Sequence, residues 1–257
     1  MVAVASQPPV RLPAGQTTDA PWQPLADCGA GNPFFYHGVQ DDFDSSLTTS
    51  IWTQSKTGNG SVAHTAGDGG LALFTTNSST PVGTDYAAIQ LPAASFTFTK
   101  PKKFFFLARL QVSDAVNAGF IAGLVDSQAN PFVSPTDGLY FLKASGAANN
   151  LILRSMVGSA NTDLAIPTSA YALANNTNID LAFSIDRNGN VGAYVGGQLV
   201  GFIPQSGVGS VNPSRGACAK FAPTLTTANL NLTLGVLSGT ASSKTMTADF
   251  VTAQKER

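Results

Sequence analysis

The chain has 257 residues, of which 43% are hydrophobic and only 11% charged, with a formal net charge of −1. That length buries a sizeable core in one large domain or two small ones. The near-neutral balance excludes a nucleic-acid partner held by phosphate neutralisation, and no apolar run approaches the roughly 18 residues of a membrane-spanning helix. Glu256 is the only glutamate; the other acidic residues are aspartates. Helix surfaces are built from Glu, Lys, Arg and Gln. This chain uses Thr, Ser, Asn, Gly and Ala instead, so strands and turns are expected throughout, with very little helix.

Residues 1–33 differ from the rest. Pro8, Pro9, Pro13, Pro21, Pro24 and Pro33 lie here. Proline removes a backbone donor and favours extended chain. Two readings stand: a solvated tail, or an extended arm that orders against a partner subunit with Trp22 and Leu25 as its apolar anchors. The opening Met1 to Pro9 lacks a basic segment and a long apolar core, so no signal peptide is expected. Cys28 and Cys218, the only cysteines, are then expected as free thiols in a reducing compartment.

Strand signals begin near Phe34 and run through Val39 to Asp44, then Ile51-Trp52-Thr53. Gly58-Asn59-Gly60 marks a turn, Val62 to Thr65 a short strand, and Gly67-Asp68-Gly69-Gly70 another turn. Leu71 to Thr75, Tyr86 to Leu91 and Ser95 to Thr99 read as strands. Lys103 to Val112 is a long one, with Phe104, Phe106, Ala108, Leu110 and Val112 facing away from Phe105, Leu107, Arg109 and Gln111. Phe120 to Val125 is apolar throughout, which suits a strand buried on both faces. Asp137 to Lys143 and Leu151 to Met156 form the next pair, and Tyr171 to Asn176 suggests a short helix.

From Asn178 to Ile203 the pattern is clearest. Ile179, Leu181, Phe183 and Ile185 alternate with Asp180, Ala182 and Ser184, the period of a strand with one face on a core. Asp186-Arg187-Asn188-Gly189 supplies a turn. Val191, Ala193 and Val195 resume the alternation, Gly196-Gly197 turns the chain again, and Leu199 to Ile203 completes a meander that needs a second layer over its apolar face. Leu230 to Val236 and Met246 to Ala253 close the chain. Roughly fourteen strands at this spacing predict an all-β antiparallel sandwich.

Several stretches resemble the concanavalin A-like jelly roll, the fold of lectins, glucanases and laminin-G domains. Asp41-Asp42-Phe43-Asp44 followed by Trp52 resembles its opening strand. Phe104 to Val112, Phe120 to Asp126, Asp137 to Lys143 and Leu151 to Met156 resemble its central strands, and Asp249-Phe250-Val251 its final one. The resemblance covers residues 34–257 and implies one jelly-roll domain preceded by the arm of residues 1–33. A Pro-rich arm before a Thr/Ser/Asn/Ala-rich sandwich also resembles tailed-bacteriophage virion proteins, among them capsid decoration and head-fibre proteins.

Retaining glycosidases of this fold place two Glu and an Asp on one strand, with nucleophile and acid/base about 5–5.5 Å apart. Glu256, the penultimate residue and the only glutamate, cannot supply that pair, and no Asp-x-Asp-x-x-Asp strand replaces it. His37 and His64 are the only imidazoles for a triad-type site and read as packing or surface residues. Two His and two distant Cys fall short of a zinc site. Asp41, Asp42 and Asp44, with Asp249, present hard oxygen ligands of the kind calcium takes; the other reading is turn capping where the strand begins. The glycine pairs precede no helix and read as hairpin turns. Lys100, Lys102 and Lys103 read as guards of a sheet edge. Phe outnumbers Tyr and Trp, 16 against five and two, and sugar platforms favour the latter.

The expectation is a non-enzymatic virion protein without cofactor or metal. It decorates and stabilises a phage capsid, touches the major capsid protein and copies of itself, forms a trimer, and is assembled in the host cytoplasm without nucleic-acid or membrane contact. The alternative is a carbohydrate-binding module on a fibre or other glycan-binding protein. Deleting residues 2–33 should leave the sandwich folded and abolish capsid attachment; a truncated protein that saturates capsids with unchanged affinity would remove the arm as anchor.

Overall fold

The computed structural model describes residues 36–44, 47, 51–67, 69–77, 84–91, 95–98, 102–133, 135–146, 150–171, 173–204 and 225–257. Trp22, Leu25, Cys28, Cys218, Lys100 and the arm lie outside them.

Among the described residues fifteen strands follow in chain order: β1 (Tyr36–Asp41), β2 (Thr53–Lys56), β3 (Ser61–Thr65), β4 (Leu71–Thr75), β5 (Tyr86–Gln90), β6 (Phe104–Val112), β7 (Ala118–Val125), β8 (Gly138–Lys143), β9 (Leu151–Val157), β10 (Ala160–Ala165), β11 (Asn178–Ile185), β12 (Val191–Val195), β13 (Gln198–Ile203), β14 (Asn231–Ser238) and β15 (Thr245–Glu256). They form two antiparallel sheets. One runs β13-β12-β11-β6-β15-β4-β3 with β1 added beside β15; the other runs β10-β9-β8-β7-β14-β5-β2. The chain crosses between sheets repeatedly, and β1 pairs with β15 so that Tyr36 lies opposite Glu256. This is an all-β sandwich of the jelly-roll kind, as the alternation in the sequence requires.

The core follows from that alternation. Phe104, Phe106, Ala108, Leu110 and Val112 of β6 face inward with Ile179, Leu181, Phe183 and Ile185 of β11. Phe183 stacks on Phe106 at 4.8 Å between ring centroids and meets Phe141 of the opposite sheet at 6.2 Å. β7 is buried along its whole length, as its unbroken apolar run predicts. The odd-numbered positions of β6 carry a second, outward cluster: Phe105 and Leu107 with Ala182 and Phe250.

Three local expectations change. Of the expected strand Ser95 to Thr99, the described residues 95–98 form no strand; Phe96 makes an isolated bridge to Leu230. No α-helix occurs among the described residues of 171–176: Tyr171 is extended, and a 3-10 turn at Thr168–Ala170 precedes it, after Pro167. β10, with sequence Ala-Asn-Thr-Asp-Leu-Ala, was not expected, because an exposed edge strand carries almost no apolar alternation.

Of the aspartates at the start, Asp41 takes the turn-capping role. The Asp41 carboxylate accepts from the Phe43 backbone N–H at 2.8 Å and from the Trp52 indole N–H at 2.6 Å, so it caps the turn that swings Phe43 into the core. Asp249 lies on the outer face beside Arg109, 3.6 Å away. Among the described residues no group of three His, Cys, Asp or Glu is placed to hold an ion. The turn before β4 is equally constrained: a Cβ on Gly70 would stand 2.0 Å from the Phe43 carbonyl oxygen, at φ +91°, where a side chain costs about 1–3 kcal/mol in strain alone.

Asp41→Ala strips the acceptor from Trp52, which is 1% exposed. Leaving that buried donor unpaired should cost about 1–3 kcal/mol, read as a lower midpoint in urea denaturation with an unchanged slope.

Candidate functional site

The two outer faces differ. On the eight-stranded sheet Arg109 forks onto Asp180, with Nε to Oδ1 at 2.6 Å and Nη2 to Oδ2 at 3.0 Å. Its guanidinium also sits 5.6 Å above the Phe250 ring and faces Asp249, so its donors are committed to structure.

The seven-stranded sheet presents a transverse row set by strand register. Thr53 of β2 lies opposite Gln90 of β5, Gln90 opposite Thr233 of β14, and Thr233 opposite Gly123 of β7. Gly123 in turn faces Tyr140 of β8, Tyr140 faces Arg154 of β9, and Arg154 faces Asp163 of β10. The side chains of this row point outward because their strand neighbours Leu139, Phe141, Leu153 and Leu232 fill the core.

One end of the row is closed. Gln90 donates to Thr233 Oγ1 at 2.9 Å, both groups being buried. The turn after β7 lies across the sheet, pinned by the Tyr86 hydroxyl donating to the Ala129 carbonyl at 2.8 Å. Phe132 of that turn packs on Ile121, Val125, Tyr140 and Met156. Gly235 makes room for it, since a Cβ there would stand 3.2 Å from the Phe132 ring.

The other end is open. Arg154 grips Asp163 bidentately, Nε to Oδ1 and Nη2 to Oδ2, both at 2.7 Å, with the two side chains 26% and 31% exposed. Asn161 donates to the same carboxylate at 3.1 Å. The Arg154 guanidinium and Asn161 hold the Asp163 carboxyl below the usual carboxylate range, and Asp163 raises Arg154 in turn. Tyr140 donates to the Met156 sulfur at 2.9 Å. Burial pushes its phenol up to about 12, with Arg154 opposing and Asp163 and Asp126 reinforcing the shift.

Two further carboxylates stand at the β7–β8 end. Asp126 Oδ2 accepts from Gln128 Nε2 at 2.7 Å and Thr136 Oγ1 at 2.9 Å, while its Oδ1 is buried without a partner. Asp137 accepts from Thr226 Oγ1 at 2.5 Å and Gly158 N–H at 3.2 Å. Burial raises its pKa, but these donors prevail and hold it below the ordinary value.

None of these residues was singled out from sequence. Tyr140 and Arg154 sit on expected strands, but their grouping depends on β10. The histidines stand where expected: His37 bonds the Ser95 carbonyl at 2.9 Å and packs on Phe96, and His64 is exposed on β3. Glu256 is taken up by Arg187 and by the Lys103 N–H.

No protein-family model and no curated protein matches the chain. Solved structures do. It superposes on an endo-1,3-β-glucanase from Streptomyces sioyaensis with TM-score 0.58, 15% identity, and 86% and 96% of the two chains covered. The Emp47p carbohydrate recognition domain gives 0.53 at 9% identity over 84% and 94%. A Bacteroides ovatus mixed-linkage glucan GH16 protein in complex with a product gives 0.53 at 12% identity over 83% and 98%. Such likeness establishes the fold: the chain is a concanavalin A-like jelly roll. The expectation of a non-enzymatic protein is corrected, because the chains sharing this architecture include a glucanase and a GH16 protein. The absence of a two-glutamate strand spoke only to one arrangement of carboxyls.

Tyr140 carries a pH signature. Its folded pKa stands above the ordinary 10.0, so burial of the neutral phenol contributes stability in full below pH 10 that is lost as pH rises to about 12. Phenolate absorbance should show one tyrosine titrating late, absent in Tyr140→Phe, and that variant should unfold at higher alkaline pH than the parent.

Proposed function

We propose that this chain is a glycan-recognising jelly-roll domain whose sugar site is the open end of the seven-stranded sheet around Tyr140, Arg154, Asn161 and Asp163. The observation that carries this reading is the partly exposed Arg154–Asp163 fork on two paired strands. Sugar hydroxyls donate and accept at once. A carboxylate beside a guanidinium offers both partners in one plane, and rigid strands hold them without a cost of ordering. Phe132, which packs on Tyr140 and Met156, supplies apolar surface beside the phenol, which suits the C–H face of a pyranose. The carbohydrate recognition domain and glucanases that share the fold support the same class of ligand.

A second reading is decoration of a phage capsid, with the protein displayed on the virion and bound to the major capsid protein. It takes its support from the virion-like composition and from the exposed apolar pair Leu199 and Phe202 on β13, 61% and 53% exposed. The two readings are compatible, since a displayed domain can bind glycans.

A glycan array followed by titration calorimetry tests the first. Neutral polysaccharides such as β-glucans should bind, and Arg154→Ala and Asp163→Ala should each weaken binding about tenfold or more, with unchanged circular dichroism. Reducing-end release in the same samples reads hydrolysis, and its loss in Asp126→Asn or Asp163→Asn would assign the reacting carboxyl. Binding unaffected by either alanine substitution would place the sugar elsewhere.

A further inference from the structure

The outer edge of β13 stands apart from the other sheet edges. β2 carries Lys56 and β10 carries Asp163, charges that discourage pairing with another chain. β3 exposes small and polar residues, Ser61, Ala63 and His64. β13 reads Gln-Leu-Val-Gly-Phe-Ile without charge or proline, and it presents Leu199 and Phe202 to solvent. Their spacing of three would ordinarily place them on opposite faces. Here Leu199 lies opposite Tyr194 and Phe202 opposite Gly192, two residues apart on β12, because the register slips between Ala193 and Tyr194. The bulge therefore turns both apolar side chains to the outer face. That face continues inward through Tyr194 to Ala182, Leu107, Phe105 and Phe250, so the exposed pair is the solvent end of a longer apolar stripe.

We propose that β13 pairs with β13 of a second copy of this chain, antiparallel about a two-fold axis, joining two eight-stranded sheets into one. Self-pairing fits the charge: neither β12 nor β13 carries an ionisable side chain other than the Tyr194 phenol, so two copies meet without like-charge opposition. It also fits the side chains. In an antiparallel register that sets Val200 against Gly201 of the second copy, Leu199 of each copy packs beside Phe202 of the other on one face. An isologous contact of this kind closes on itself. Its size, one strand and two apolar side chains per copy, makes a concentration-dependent dimer rather than a permanent one. The inference is independent of the glycan site, which lies on the other sheet.

Sedimentation of the full chain over a range of concentrations tests it. The parent should show a reversible monomer–dimer equilibrium. Leu199→Lys with Phe202→Lys should weaken it at least about tenfold, and the milder Leu199→Thr with Phe202→Thr should do the same should the lysine variant fold poorly. Ala63→Lys, on the β3 edge, should leave it unchanged. Glycan binding should survive in all of them. A parent that stays monomeric to its solubility limit, or a dimer that tolerates both β13 pairs of substitutions while yielding to Ala63→Lys, would overturn the proposal.

Discussion

The contact between the two sheets at Phe183 supports the rest of the molecule. Phe183 stacks on Phe106 within its own sheet and reaches Phe141 across the core. Aromatic pairs of this kind contribute about 0.5–1.5 kcal/mol each beyond the area they bury. The larger consequence is geometric. With β6, β8 and β11 locked through inward Phe residues, the alternate positions of the same strands must face outward. Phe105, Arg109, Tyr140 and Asp180 are therefore placed by their neighbours as much as by their own chemistry.

That constraint gives each sheet an Arg–Asp fork with a different fate. Arg109 is enclosed by Asp180, Asp249 and the Phe250 ring. Arg154 meets Asp163 near the open edge, with Tyr140 beside it and the Phe132 turn closing the opposite end of the row. The same side-chain pair thus braces both sheets, with Asp163 the more exposed of the two carboxylates. A row built from strand register is also rigid, which is what discrimination between similar polar ligands requires.

Charged residues are scarce, and the structure uses many of them in pairs. Lys244 meets Asp114 at 3.0 Å, and Arg187 meets Glu256 at 2.5 Å. Lys143, 1% exposed, donates to the carbonyls of Val116 and Ala118 at 2.9 and 2.7 Å, and burial lowers its pKa to about 8. Such groups tie loops to strand ends, in a chain whose turns are otherwise rich in Gly, Ser and Asn.

Local alternation determined most of the strands from sequence alone. A period of two in Asn178 to Ile185 or Phe104 to Val112 leaves one solution for which side is inside, because a one-residue slip would turn every phenylalanine to water. The same logic failed at β10, where Asn161, Thr162 and Asp163 are exposed and burial imposes no pattern. For the aspartates the sequence offered two readings, calcium ligands or turn caps; Asp41 caps the turn under Trp52, whereas Asp249 faces Arg109. Only the tertiary structure decided these partners. Pairing between β9 and β10 brings Arg154 to Asp163, and pairing between β8 and β9 brings Tyr140 to Arg154. Register between strands is a property of the whole sheet, so a site written across four strands is legible only once they are side by side.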